Sequence, residues 1–226
     1  MNALNKYREL IFTIFTAIMY FVWNYVDLFN SEKWYVITIF PVITSYGTYK
    51  LLLKLVELLA NNCQSFKKLV FASEYLEGMW IGCFIGKDGN PQYFVETFEQ
   101  DFNGLIIRGR NYYKNGSFKG TWVSEKVSIN AEKGELSYTY ITDMINNTYS
   151  NRGFGDFSFI RKSPNKAPNK LIGFTTDLFN NKKCFAIEER VEIENILDDN
   201  EIVAKAISIY EKNKDLFFKK EPWRRY

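Results

Sequence analysis

The pattern of apolar and polar positions divides the chain into an almost uncharged N-terminal part and a C-terminal part that suits water. Residues 10–26 and residues 34–49 are two stretches without a charged side chain, and the polar residues 30–33 lie between them. A helix of about 17 residues spans about 26 Å, slightly less than the roughly 30 Å of a bilayer's hydrocarbon core. The pattern therefore predicts a transmembrane helical hairpin over residues 1–53.

Two other interpretations of these stretches stay open. A secretory signal peptide is disfavoured, because no small-residue cleavage pattern follows residue 26 and a second apolar stretch comes at once. A buried helical hairpin in a soluble protein is suggested by Thr13, Thr16 and Asn24, which dilute the first stretch. In lipid, such polar groups need partners on neighbouring helices.

The basic residues predict how the hairpin is oriented. Lys6 and Arg8 precede the first stretch, and residues 54–73 carry three lysines against one glutamate, whereas the connector has only Lys33. Cytoplasmic loops of membrane proteins carry an excess of Lys and Arg. We therefore expect a multi-pass protein with its N- and C-termini in the cytoplasm.

Beyond residue 73 the apolar period changes from helical spacing to two. The pattern predicts an amphipathic connector helix over residues 54–73. Eight segments in which apolar and polar residues alternate follow it, separated by Gly, Asn, Asp and Pro turn signals. The predicted strands are Met79–Ile85, Tyr93–Phe98, Leu105–Tyr112, Phe118–Ser124, Leu136–Asp143, Phe154–Arg161, Leu171–Asp177 and Cys184–Arg190.

The short connections between these strands set the topology. Parallel neighbours need a dozen or more connecting residues, so the strands must pair as antiparallel neighbours. Closing an eight-stranded sheet removes its edges and encloses room for side chains or one small ligand. We therefore predict an all-β, antiparallel, eight-stranded up-and-down barrel over residues 74–197, with a two-sheet sandwich as the alternative. A short C-terminal helix and a basic tail are expected over residues 198–226.

Composition narrows the classes of function. The chain has 226 residues, no histidine and a formal net charge of +3. Residues 1–73 account for that whole charge, and residues 74–226 carry 22 basic and 22 acidic residues. A barrel without net charge argues against a binder of DNA or RNA polymers, which needs a broad basic surface.

Enzyme motifs are missing as well. The sequence contains no P-loop, no G-x-S-x-G elbow and no histidine to activate a nucleophile, so we expect a non-enzymatic protein without a metal site. Several strands do carry carboxylates, which we interpret as acids of an exposed sheet face rather than as a catalytic pair. They are Glu96, Asp143, Asp156, Asp177 and Glu188.

The third and fourth strands carry the candidate binding residues. Alternation places Arg108, Arg110 and Tyr112 on one face of the third strand, and the fourth strand carries Trp122. Two arginines beside aromatic rings can hold an anion under a stacked ring. The alternative is a solvated outer face on which both arginines pair with acids such as Glu96 or Glu125.

These features together resemble a known family. Two predicted N-terminal spans, an eight-stranded barrel that opens with Gly78-Met79-Trp80, and the run from Arg108 to Trp122 are similar to the two-transmembrane β-barrel effectors of bacterial CBASS anti-phage signalling. Gly78-Met79-Trp80 is also similar to the G-x-W of lipocalins, in which the tryptophan closes one barrel end. The resemblance implies a receptor whose barrel binds a cyclic dinucleotide made by a partner nucleotidyltransferase during infection. Binding would cause self-association and disruption of the bacterial inner membrane, which leads to abortive infection.

Under this hypothesis the two arginines hold phosphate, the aromatic residues stack or form walls, and Thr175 and Asp177 contact base edges. The partners are the cyclic dinucleotide, membrane lipid and further copies of the chain, with no other cofactor. The predicted ligand-binding residues are Arg108, Arg110, Tyr112, Trp122, Tyr138, Tyr140, Thr175 and Asp177.

Two other functions remain open. A membrane-tethered, lipocalin-like carrier or sensor of an apolar molecule requires an interior without an inward arginine, so the direction of Arg108 and Arg110 distinguishes it from a nucleotide receptor. A structural interaction domain requires a solidly packed barrel without a cavity.

Overall fold

The structure is a computed structural model that describes residues 3–26, 46–59, 63–86, 88–144, 151–178, 182–191 and 198–218. These residues belong to two compact units, Met1–Ala72 and Ser73–Tyr226.

The N-terminal unit is helical. Helix α1 spans Ala3–Val26, α2 covers residues 46–59, and α3 spans Gln64–Phe71 before a 3-10 turn at Ala72–Glu74. Cys63 has extended backbone angles, so the predicted connector is not one continuous helix.

The predicted transmembrane hairpin is not established by these helices. Across the described residues, no helix combines the length and the apolar character needed to cross a membrane. Helix α1 covers the first predicted span, whereas most of the second span, residues 34–45, lies outside the described residues.

The second unit is a closed antiparallel barrel in which each strand pairs with its neighbours in sequence and β1 also pairs with β8. This confirms the predicted eight-stranded up-and-down barrel. The strands are β1 Gly78–Ile85, β2 Pro91–Asp101, β3 Gly104–Tyr112, β4 Phe118–Asn130, β5 Glu135–Met144, β6 Asn151–Ile160, β7 Lys170–Asp177 and β8 Lys183–Val191.

Strand β4 is longer than predicted because a bulge changes its alternation. The register with β5 shifts between Ser124 and Lys126, so the inward side chains are even-numbered up to Ser124 and become Val127 and Ile129 afterwards. A simple period of two therefore ends the strand at Ser124, while the paired strand continues to Asn130.

The C-terminal helix packs on the barrel's outer surface. Helix α4 spans Asp199–Lys212 and begins with a capping box, in which Asp198 accepts from the Glu201 backbone and Glu201 accepts from the Asp198 backbone. A four-residue helix, α5, follows at Lys214–Phe217. Predicted as a separate segment, α4 belongs to the barrel unit, where it contacts β1, β2 and β8. Its buried face is formed by Ile202, Val203, Ala206, Ile209 and Tyr210.

Side chains fill the barrel end at which β1 starts. The indole N–H of Trp80 donates to the Leu76 carbonyl over 2.8 Å, and the Arg190 guanidinium lies 5.7 Å from the Trp80 ring. Gln100 accepts from the Leu76 backbone and donates to the Glu74 carbonyl, each over 2.8 Å. Trp80 is fully buried, which agrees with the closing role suggested by Gly78-Met79-Trp80.

Candidate ligand-binding site

A cavity of about 420 Å³ lies toward the other end of the barrel. Its volume falls within the roughly 300–1,000 Å³ of small-molecule sites. The rim is formed by strand ends and by the turn after β1, with Asp88, Asn111, Lys119 and Arg152 among the lining side chains. The site therefore has a polar entrance above a more apolar interior.

Glycines in the barrel wall make room for the cavity's large aromatic side chains. A Cβ atom on Gly109 would lie 2.0 Å from the Trp122 ring, which no real contact tolerates. Each of three rings covers a glycine directly opposite it on the neighbouring strand. The pairs are Gly109 with Trp122, Gly153 with Tyr140, and Gly155 with Tyr138.

Three of the aromatic rings form a parallel series. The planes of Trp122 and Tyr138 differ by 5° with centroids 5.6 Å apart, and those of Tyr138 and Phe157 by 7° with centroids 5.8 Å apart. At these separations parallel rings are offset, the arrangement that aromatic pairs prefer. The cavity is therefore lined by stacked aromatic rings that share one orientation.

Two carboxyl side chains line the interior. Glu96 lies opposite Trp80 in the β1–β2 ladder, and Glu188 lies opposite Gly82 in the β1–β8 ladder. They are 2% and 0% exposed. A side chain on Gly82 would collide with the Glu188 side chain and with the neighbouring backbone, so the glycine leaves space for this carboxyl.

Burial dominates the electrostatics of this acidic pair. It raises the pKa of Glu188 to about 8. It also raises the pKa of Glu96 well above its ordinary value, and repulsion from Glu188 adds to that increase. The Tyr138 hydroxyl donates to Glu96 Oε1 over 3.4 Å, and no lysine or arginine among the described residues contributes to either shift. The pair therefore holds protons at neutral pH.

Among the described residues that line the rim, Lys119 and Arg152 are cationic. The Lys119 ammonium donates to Gln92 Oε1 over 2.8 Å, and burial lowers its pKa. The Arg152 guanidinium is 3.2 Å from Glu125 Oε1 and is largely exposed. Lys119 and Arg152 thus stand at the entrance together with the acid Asp88, Asp177 also lines the cavity, and the protonated acids lie inside. The cavity therefore offers charged groups of both signs at its rim and hydrogen-bonding groups beside aromatic rings in its interior.

Five of the eight predicted binding residues line this cavity. The Tyr140 hydroxyl is 2.5 Å from Thr175 Oγ1, which fixes both side chains in the wall. The five residues are Trp122, Tyr138, Tyr140, Thr175 and Asp177.

The other three point away from the barrel interior, Arg108 and Arg110 into solvent and Tyr112 into the buried cluster between the barrel and α4, which corrects the prediction that they share a site with the cavity's aromatic residues. Arg108 pairs with Glu99 at 3.1 Å. Arg110 lies 3.6 Å from Asp199, which also accepts a 2.8 Å hydrogen bond from the buried Tyr112. The reason is the phase of β3, since Gly109 faces inward under Trp122 and its neighbours Arg108 and Arg110 must face outward. The solvated-face alternative is correct, although the arginines pair with acids other than Glu96 and Glu125.

The acidic pair is what sequence reasoning missed. Glu96 and Glu188 were interpreted as exposed acids, but both are buried in the barrel. The signal was present, because Glu96 alternates in phase with the buried Phe94 and Phe98. Asp143 is exposed, as expected.

Comparison with known proteins gives no information about the site. No protein-family model matches the chain, and no curated protein matches it. A solved structure that it resembles is a de novo designed fluorescence-activating β-barrel, with 15% identity and a TM-score of 0.33, covering 54% of this chain and 97% of that chain. At this level of similarity nothing follows about a ligand.

Proposed function

We propose that the barrel is the receptor of a membrane-anchored effector and that it binds a cyclic dinucleotide through its open end. The observation that carries the proposal is the combination, in one cavity, of parallel aromatic rings with a rim that holds Lys119 and Arg152. Stacking on an aromatic side chain contributes about 1–3 kcal/mol per base, and guanidinium groups suit phosphate oxygens. Both requirements are met without a basic exterior.

In this proposal the phosphate contacts differ from those expected from the sequence. Lys119 and Arg152 hold the phosphates at the entrance. One base enters the cavity and packs against the stacked aromatic side chains that line it. Because the ligand has two bases and the cavity is small, the second half of the ligand lies at the rim. There it meets a second copy of the chain, which promotes self-association.

The membrane part of the proposal rests on the N-terminal unit. Residues 10–26 carry no charge, and apolar side chains such as Phe12 and Phe21 are more than 60% exposed in the chain. The hydroxyls of Thr13 and Thr16 donate to carbonyls one turn earlier, over 2.8 and 2.7 Å. Such internal hydrogen bonds satisfy polar groups where no water is available. We propose that this unit anchors the barrel to the bacterial inner membrane and, on self-association, disrupts that membrane.

A second function is favoured by one observation. Arg108 and Arg110 face outward, as a lipocalin-like carrier of an apolar molecule requires. Such a ligand would use the aromatic wall and leave Lys119 and Arg152 without a role.

Calorimetric titration of the full chain in lipid nanodiscs with a panel of cyclic dinucleotides tests the proposal. Arg152→Ala is compared with Arg108→Ala, because each arginine makes one surface ion pair with a glutamate and only Arg152 borders the cavity. Hydrogen bonds to charged groups contribute about 1.5–3 kcal/mol, so we expect the Kd to rise about tenfold or more in R152A and to stay unchanged in R108A.

The alternatives give different results. If no member of the panel binds, the proposed function is wrong. If an apolar dye binds in the cavity with equal affinity in R152A, and no cyclic dinucleotide displaces it, the carrier function is correct.

A further inference from the structure

The buried acidic pair contains carboxyl oxygens that the barrel leaves without hydrogen-bond partners among the described residues, apart from the contact between the two acids. Unpaired carboxyls in a barrel interior lower stability unless something compensates them. Glu96 and Glu188 contact each other, and Tyr138 donates a long hydrogen bond to one oxygen. Apart from their mutual contact, Glu96 Oε2 and both carboxyl oxygens of Glu188 have no hydrogen-bond partner among the residues that the structure describes.

The two glutamates line the same cavity as the aromatic residues. Both glutamates border it, and so do Tyr138 and Phe157, whose parallel rings stack on one another. The Tyr138 hydroxyl, at the edge of its ring, reaches Glu96, so a ligand ring parallel to Tyr138 would present its edge to the carboxyls. The edge, rather than the face, is where nucleobases carry their hydrogen-bonding groups.

We propose that Glu96 and Glu188 determine the specificity of the site by binding the Watson–Crick edge of a guanine. This inference rests on the proposed function, since it names which base the receptor selects. One carboxylate accepts from the guanine N1–H and 2-amino groups, and the neighbouring carboxylic acid donates to O6. All three oxygens that lack partners can then take part in hydrogen bonds.

Other bases match the pair less well. Adenine presents one amino donor beside one ring acceptor, which a single neutral carboxylic acid satisfies, so the second carboxyl stays unpaired. A site built to hydrogen-bond a particular group discriminates strongly against a ligand that leaves its buried polar atoms unpaired. Guanine-containing ligands should therefore bind more tightly than adenine-only ligands.

Guanine binding also requires a change of protonation. Burial raises the pKa of Glu188 to about 8 and raises that of Glu96 well above its ordinary value, so the empty pair holds both protons at pH 7, whereas the carboxylate that accepts from guanine has lost one. That proton passes to solvent, so binding strengthens as the pH rises toward 8. Other charged or titratable groups facing the cavity are Tyr138 and Tyr140 on β5, Lys119 on β4, Arg152 on β6, Asp177 on β7, Cys184 on β8 and Asp88 after β1. Burial raises the pKa of both tyrosines, so neither ionises in this range.

The experiment compares cyclic di-GMP with cyclic di-AMP on the full chain in nanodiscs, by calorimetry at pH 6.5 and pH 7.5. We expect cyclic di-GMP to bind about tenfold or more tightly, and its affinity to increase severalfold between the two pH values, with a limit of tenfold for one proton. Repeating the titration in two buffers of different ionisation enthalpy should show the release of up to one proton with cyclic di-GMP and none with cyclic di-AMP.

Two matched variants complete the test. Glu188→Gln should remove both the preference for cyclic di-GMP and the pH dependence, whereas Glu99→Gln, an exposed acid on the same strand as Glu96, should change neither. The number of protons released is measured on the unaltered chain, so this part of the test does not depend on whether a variant folds. Equal affinities for the two ligands with no proton released would overturn the inference and leave the proposed function standing. If neither these ligands nor any other cyclic dinucleotide binds, both are wrong.

Discussion

Glycines, rather than apolar residues alone, give the cavity its shape. Trp122, Tyr138 and Tyr140 each lie across a glycine on the next strand, so large rings fit in the wall of a small barrel. A pairing of this kind is used in designed barrels to protect the backbone at a glycine. At Gly109, Gly153 and Gly155 the close approach to the strand backbone is made by aromatic side chains of the barrel itself.

Gly109→Ala should destabilise the protein. The new Cβ atom would lie 2.0 Å from the Trp122 ring, and forcing extra volume into a packed interior costs about 1–3 kcal/mol. The free energy of unfolding, measured by urea denaturation, reports this loss.

The matched control removes the collision instead of the glycine. In a Trp122→Leu background the same Gly109→Ala change should cost much less, giving a coupling energy of about 1 kcal/mol or more in a double-mutant cycle. Equal costs in both backgrounds would show that the ring does not depend on this glycine.

At the level of elements, alternation predicts most of the barrel. The eight strands and their order follow from a period of two and from turn residues at the ends of each run, because these signals are local. The phase of each strand is harder to predict, since it depends on which face closes inward. On β3 the inward residues Leu105, Ile107 and Gly109 are less polar than Arg108 and Arg110, and this contrast was the available signal.

The bulge in β4 and the packing of α4 lie beyond such local signals. A bulge depends on the register of two strands, and a helix's partner depends on the tertiary arrangement. The candidate site shows the same division. Its aromatic residues were found from their strand positions, whereas the meeting of Glu96 with Glu188 requires barrel closure, which brings β8 beside β1.

Helix α4 should contribute to the stability of the barrel. Ile202 lies on the buried face of α4 and is fully buried, so Ile202→Ala should lower the free energy of unfolding by about 2–5 kcal/mol. Lys205→Ala, on the exposed side of the same helix, should change it by less than about 0.5 kcal/mol. If I202A and K205A had the same free energy of unfolding, the packing of α4 would not contribute to the stability of the barrel.

For the whole molecule, the proposal couples two compact units. The net charge of +3 belongs to residues 1–73, and the barrel unit carries equal numbers of acidic and basic residues. In the proposal, the basic excess of the N-terminal unit favours an anionic membrane surface, and the barrel unit adds no net charge to that attraction. In this proposal, ligand binding rather than membrane binding triggers the response of the barrel.

Reconstitution in dye-filled vesicles that contain anionic lipid tests this coupling. Addition of the cyclic dinucleotide that binds best should release dye from vesicles with the unaltered chain, and R152A should require about tenfold more ligand. R108A serves as the control and should behave like the unaltered chain. If dye is released equally with and without ligand, membrane damage does not depend on ligand binding by the barrel, and the proposed coupling is wrong.

The central claim is that a cyclic dinucleotide occupies the open end of the barrel, and the indole N–H signals of two tryptophans test it most directly. Trp122 lies in the aromatic wall, whereas Trp80 is buried at the filled end and bonded to Leu76. In nitrogen-15 NMR spectra of the full chain in nanodiscs, assigned with Trp122→Phe and Trp80→Phe, titration of cyclic di-GMP should move the Trp122 signal and leave the Trp80 signal in place. A Trp122 signal that does not move at saturating ligand would contradict the account.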